Sequence, residues 1–424
     1  MRFSPVVVVV IALAVAAAEP GGASDAERLH YHAVAGDGVV LSSRAADEPV
    51  NPASVVKAGT SLWALDRLGA GHRYETVLGV VGDWDRTAGV LRGDLVVVGG
   101  ADPDFQWENA FLVARALNRA GLRTVRGRLV VRGTFWNGWE HGVEKRATDP
   151  VERNLEMGRR MIDAFDSRRW STSHENTWRA MCQRRGLTAG NRPLVEVTGG
   201  VAEGGEGEIV PLVVHMSNPL SDILRRFNVY SNNDIVRIAE PLGGAPGLES
   251  FLHRRLAPGA SGIELSTASG ERRNRMTVRQ MVALVDALRD EARDHGLELA
   301  RVLPVIGCDD GATRRMFPTL SAPPLRGSVT CKTGTLTQTD GGVAVFAGTF
   351  TGADGAEITF AVAAPRAGGR VQYWRRLEQR WVLSLIDARG GAVTTPCTTP
   401  LPFSDTHAVV DVADVHDSAV HDQP

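Results

Sequence analysis

The spacing of apolar positions changes several times along the chain, and each change predicts an element. Residues 53–68 place Val55, Val56, Ala58, Leu62, Leu65 and Leu68 at the spacing of a buried helix, which Gly69 ends. Residues 73–80 and 89–99 read as strands around a turn, 110–121 as a helix and 129–135 as a further strand. Before them, residues 34–42 only mix short apolar pieces with Gly and Asp. Residues 146–159 and 175–185 are polar and arginine-rich, and 199–208 form a Gly/Glu run suited to a linker. Helical spacing returns over 219–242 and 277–297. Residues 327–333, 342–350 and 356–363 then read as three strands joined by short turns, closed by a helix over 371–387. This order predicts an α+β fold, an antiparallel sheet flanked by helices rather than a regular βαβ array.

The two ends stand apart from this pattern. Met1-Arg2, the apolar run over 5–18 and the small residues Ala16 to Ala18 have the order of a secretory signal, so residues 1–18 are expected to direct export and be removed. Residues 388–424 hold Thr, Pro, His and Asp in proportions that suit a flexible tail.

With 424 residues, 43% of them hydrophobic, the chain can bury a large core. A formal net charge of -2 argues against a nucleic-acid binder. Four cysteines, Cys182, Cys308, Cys331 and Cys397, are too few for a disulfide scaffold, and their three full pairings stay open. No CxxC, HExxH or comparable spacing supports a metal or an organic cofactor.

Three short elements carry candidate chemistry. Ser54-Val-Val-Lys57 puts a hydroxyl and an amine on one helix face, three residues apart. A serine needs a base beside it to act as a nucleophile, and a lysine can be that base where burial makes its neutral form accessible. Ser231-Asn232-Asn233 offers a hydroxyl able to relay a proton and an amide able to hold a carbonyl or the lysine. Lys332-Thr333-Gly334-Thr335 supplies a cation and a hydroxyl for a substrate carboxylate, and a glycine that lets substrate lie close. The amides of Ser54 and Thr335 are candidates for an oxyanion hole.

Taken in order, S-x-x-K, S-x-N and K-T-G are the signature set of penicillin-binding proteins and class A β-lactamases. The chain resembles the D-alanyl-D-alanine carboxypeptidase/endopeptidase family, the DacB-like or S13 peptidases among class C low-molecular-mass penicillin-binding proteins. The likeness extends to Gly99-Gly-Ala-Asp102-Pro103, His215-Met-Ser217-Asn-Pro219-Leu220, Ser269-Gly270 with Asn274-Arg275-Met-Thr277, and the stretch from Leu303-Pro304 to Gly311. It implies a transpeptidase-like domain split into 19–74 and 207–387, with an inserted, mostly β domain at 75–206. It also implies an exported serine hydrolase of the periplasm or cell-wall space, acting on D-Ala-D-Ala of peptidoglycan stem peptides and acylated by β-lactams. Ser54 would be the nucleophile, Lys57 its base and Ser231 the proton relay. Asn233 would position substrate and Lys57, and Lys332 with Thr333 would hold the terminal carboxylate.

Departures from the family pattern fall close to these residues. Ala268 replaces a usual Gly, and Glu271-Arg272 replace a usual Leu-Ser. Two other functions fit the same motifs: a serine β-lactamase or related amide/ester hydrolase, and a catalytically weak wall-binding protein.

Overall fold

The computed structural model describes residues 25–140, 147–205, 207–257, 259–313, 315–397 and 400–412. The expected export signal at 1–18 and the end of the chain from 413 lie outside them. The chain divides into two compact units, one formed by the residues up to Ala70 with Leu224–Leu401, the other by Gly71–Ile223 with the chain from Pro402.

The first unit is built on a five-stranded antiparallel sheet. Its strands run in the order Val329–Leu336, Val343–Thr351, Glu357–Pro365, His30–Ala35, Val40–Arg44. The three-strand hairpin array at the C-terminal side is the one the alternation predicts. The strands His30–Ala35 and Val40–Arg44 were not legible: the first buries small or polar side chains such as Ala33 and His32, and the second is an edge strand with Val40 exposed, leaving little apolar contrast. Ala344, Phe346, Phe350, Phe360 and Val362 bury one sheet face against Trp374, Trp381 and Val382 of the helix Val371–Asp387. Thr359, on the opposite face, accepts from Arg289 and donates to Asp286, both on the helix Val278–Asp294. Both faces are therefore covered, as the uninterrupted apolar runs of the central strands require.

The second unit centres on a larger sheet. Glu75–Asp85 pairs antiparallel with Val90–Gly100 and with Val210–Met216, while Leu129–Thr134 lies parallel to Val90–Gly100. The helices Trp107–Arg119, Pro150–Phe165 and Thr172–Arg185 belong to this unit, so the inserted region carries more helix than the expected mostly β domain. The last two fall in the arginine-rich stretches. Their buried sides rest on few positions, chiefly Met157, Met161, Phe165, Trp178 and Met181, so arginine dominates the sequence pattern. Arginines in and beside those stretches pair locally, for example Arg179 and Arg192 with Glu175, Arg160 with Glu156 and Arg169 with Asp163.

The tail is not wholly loose. Cys397 is disulfide-bonded to Cys308, and Val409–Val412 adds an antiparallel strand beside Val210–Met216. Asn218 binds this segment at both ends of a turn, donating to the Phe403 carbonyl and accepting from His407 N–H. These contacts correct the expectation of a flexible tail for residues 402–412. A four-residue strand with three valines is too short to show against Thr, Pro and His in the sequence.

Candidate active site

The predicted residues come together in the first unit. Ala53–Val55 form a single 3-10 turn that leads into the helix Val56–Leu68. Lys57, in the first turn of that helix, is fully buried, while Ser54 is partly exposed. Lys57 Nζ lies 2.8 Å from Ser54 Oγ, 2.8 Å from Asn233 Oδ1 and 2.7 Å from the Ser269 carbonyl. Three oxygens thus surround one amine. Burial, and next the charge of Lys332, push Lys57 well below the ordinary lysine range.

The second set joins Lys332 to Ser231. Lys332 lies on the strand Val329–Leu336, its Nζ 2.9 Å from Ser231 Oγ and 2.8 Å from the Thr333 carbonyl. Burial lowers Lys332 to about 7, and the Arg375 guanidinium adds to the effect. The neighbouring Cys331 thiol is raised to about 12 by burial, so it remains protonated and unreactive.

Ser231 and Asn233 do not lie within one helix, as the spacing over 219–242 predicts. The helix Leu220–Val229 ends at a left-handed Ser231, φ +51°. Asn232 N–H donates to the Phe227 carbonyl and Ser231 N–H to the Asn228 carbonyl, a Schellman cap with serine where glycine is usual. A 3-10 turn, Asn233–Ile235, then begins, capped by the Asn232 side chain. The break turns the two side chains toward different lysines. Periodicity missed it because apolar residues resume in phase at Ile235 and Val236.

Two glycines bring the segments together. A Cβ on Gly270, φ +85°, would stand 1.9 Å from the Ala53 carbonyl oxygen, and one on Gly334 would stand 2.7 Å from that of Pro52 and 3.0 Å from Ser54 N. The loop after Ser269 and the Lys332 strand therefore both press on the backbone that carries Ser54. Ala53 itself is held at φ +46°, its N–H donating to Asn51 Oδ1. Such strain next to a candidate nucleophile is common where surrounding contacts over-determine the backbone.

Sequence reasoning missed two contributors. Ser269 supplies a third oxygen to Lys57 through its carbonyl, which side-chain chemistry does not reveal. Arg375, fully buried, donates to the Gly334 carbonyl at 2.6 Å, to Thr335 Oγ1 at 2.7 Å and to the Val345 carbonyl at 2.7 Å, with Glu378 as its ion partner. The only trace of Arg375 in the sequence is a charge pair three residues apart on a helix face that otherwise carries tryptophans. Among the described residues, no three His, Cys, Asp or Glu side chains gather where they could hold a metal ion.

The model of the D-Ala-D-Ala carboxypeptidase 3 (S13) family matches residues 24–150 and 195–372. The chain belongs to the S13 family. The family match passes over residues 151–194, which hold most of the two arginine-rich helices and fall where the sequence resemblance is weakest. A D-alanyl-D-alanine carboxypeptidase of Actinomadura sp. (strain R39) is 35% identical over 100 residues. That match covers 24% of this chain and 18% of the curated relative's length. Among solved structures, the predatory endopeptidase Bd3459 of Bdellovibrio bacteriovorus is similar over 91% of this chain and 100% of its own, at TM-score 0.75 and 22% identity. Penicillin binding protein 4 of Haemophilus influenzae is similar over 84% of this chain and 96% of its own, at TM-score 0.59 and 18% identity. These likenesses show that the S13 chain has the penicillin-binding-protein fold.

Proposed function

We propose that this protein is a serine D-alanyl-D-alanine carboxypeptidase, with D,D-endopeptidase activity on peptidoglycan cross-links, and that β-lactams acylate it at Ser54. The observation that carries this reading is Lys57 Nζ, buried and held between Ser54 Oγ and Asn233 Oδ1. Family membership supplies the substrate class. The export pattern at the N-terminus supports a workplace in the periplasm or cell-wall space.

In this reading neutral Lys57 takes the proton of Ser54 as its oxygen bonds to the carbonyl carbon of the penultimate D-alanine. The amides of Ser54 and Thr335 face the developing oxyanion; the close approach of Gly334 to Ser54 N supports that pairing. The carbon–nitrogen bond then breaks, and the proton reaches the departing D-alanine amine through Ser231, whose hydroxyl Lys332 orients. Lys332 in its ammonium form, with Thr333, binds the terminal carboxylate. Water enters after the amine leaves and releases the acyl group from Ser54.

The test pairs a fluorescent penicillin with a stem pentapeptide. Time-resolved mass spectrometry should show a long-lived adduct on Ser54, and the peptide should lose D-alanine. Rapid loss of the adduct with hydrolysed penicillin would identify a β-lactamase instead. Ser54→Ala should abolish labelling; full labelling of that variant would show that another residue is the nucleophile. Bd3459, whose structure is known in a penicillin G-acylated form, shares the fold and makes penicillin G a suitable probe.

A further inference from the structure

Glu271 stands where the family pattern carries leucine, and the loop around it is tightly fixed. Thr267 Oγ1 accepts from Gly270 N–H and donates to the Glu271 carbonyl, which also accepts from Asn274 Nδ2 at 2.8 Å. The half-buried Glu271 carboxylate accepts from Ser269 Oγ at 3.0 Å. Ser269 is fully buried, and its carbonyl is the oxygen 2.7 Å from Lys57 Nζ. One residue therefore touches both the carboxylate and the amine.

The other charged groups around Lys57 are cationic or already paired. Lys332 faces it from the strand, with the Arg375–Glu378 pair behind that strand. From the Ser231 side come the neutral Ser231 and Asn233, then Asp234 paired with Arg237. Asp340 takes Arg273 and Arg275 beyond the loop. At the far end of the Lys57 helix, Glu291 is taken up by Arg255 and His295. From the helix Gly244–Arg255, Glu249 accepts the Leu265 N–H and His253 bonds the Ile263 carbonyl. Glu271 makes no ion pair among the described residues, and its charge favours the ammonium form of Lys57.

We propose that Glu271 is a positioning residue that holds a counter-charge against Lys57 through Ser269 and thereby sets the acid limb of Ser54 acylation. The inference rests on the peptidase reading of the site. In acylation the Ser54 oxygen bonds to the carbonyl carbon, the carbon–nitrogen bond breaks, and the Ser54 proton reaches the departing nitrogen by way of Lys57. A carboxylate on the Ser269 side stabilises the ammonium that forms in passing. It also keeps the resting amine protonated to a higher pH than leucine would.

The test is the pH profile of second-order acylation by benzylpenicillin, read by intact-protein mass spectrometry on the full chain. Glu271→Gln keeps the hydrogen bond and removes the charge; Glu271→Leu removes both; Glu271→Asp keeps the charge. The first two should move the acid limb to lower pH by about half a unit or more, and the third should stay near the wild type. Thermal melts check that each variant is folded, and either neutral variant alone suffices for the reading. Labelling with an unmoved limb in Glu271→Gln overturns this inference and leaves the peptidase reading intact. Absence of labelling in the wild type at every pH overturns both.

Discussion

Lys57 is fully buried and Lys332 is 1% exposed, and the same burial that lowers both assigns them opposite requirements. In the proposed reaction Lys57 must be neutral to accept the Ser54 proton, so acylation is expected to rise with pH as Lys57 loses its own. As the proposed carboxylate anchor, Lys332 must be charged, so binding of the stem peptide is expected to fall as Lys332 passes about 7 in the free enzyme. The kcat/KM for a stem peptide is therefore expected to rise and then fall with pH. A matching ester lacking the terminal carboxylate should keep the rising limb and lose the falling one; a falling limb in both would remove Lys332 from the anchoring role. At the same scale, Gly270→Ala sets a methyl group against the Ala53 carbonyl at a positive φ. It should cost about 2 kcal/mol or more of stability and suppress acylation at least tenfold, seen by denaturant titration and penicillin labelling.

Two elements do work that their own residues do not advertise. The helix Leu220–Val229 ends at Ser231, a conformation in which glycine would be more comfortable. Ser231→Gly should therefore raise stability by up to about 1 kcal/mol while acylation collapses, because Lys332 loses its hydroxyl partner. Equal loss of both would show that the hydroxyl serves the fold rather than the reaction. The helix Val371–Asp387 holds the Lys332 strand from behind through Arg375. Removing that guanidinium in Arg375→Met leaves Glu378 buried without its ion partner, at a cost of about 3–5 kcal/mol by chemical denaturation. Burial already raises the Glu378 carboxyl to about 7, so Glu378→Gln should be far better tolerated at neutral pH.

On the scale of the molecule, described residues after 387 contribute to each compact unit by itself. The Cys308–Cys397 disulfide ties residues 89 positions apart within the first unit. Its loss in Cys308→Ser should lower stability by about 4–5 kcal/mol in the loop-closure view, measurable by denaturation with and without reductant. Buried Cys182 and Cys331 should stay unreactive to thiol reagents in the native state. In the second unit, residues 402–412 supply an edge strand and the buried Asp405, which Arg184 and Arg185 pair with. Ending the chain after Leu401 exposes the edge of Val210–Met216. That should lower the melting temperature of this unit and promote self-association.

The sequence by itself determined the family, the main helices and central hairpins, and the side chains that meet at the candidate site. Those features rest on local information: apolar spacing, an i,i+3 pair on one helix face, and motifs whose residue types limit their chemistry. It expected one helix through Ser231 and Asn233, a mostly β insertion and a loose end. Only the tertiary structure decided that the helix breaks at a left-handed serine, so that one side chain meets Lys332 and the other Lys57. It also brought in the Ser269 carbonyl, Arg375 and Glu271, and chose Cys308 with Cys397. A backbone carbonyl has no signature in sequence, and the remaining contacts join residues 30 or more positions apart or depend on the fold around a short loop. The amine of Lys57, the proposed base, is lowered from the ordinary lysine range only because distant segments exclude water from it.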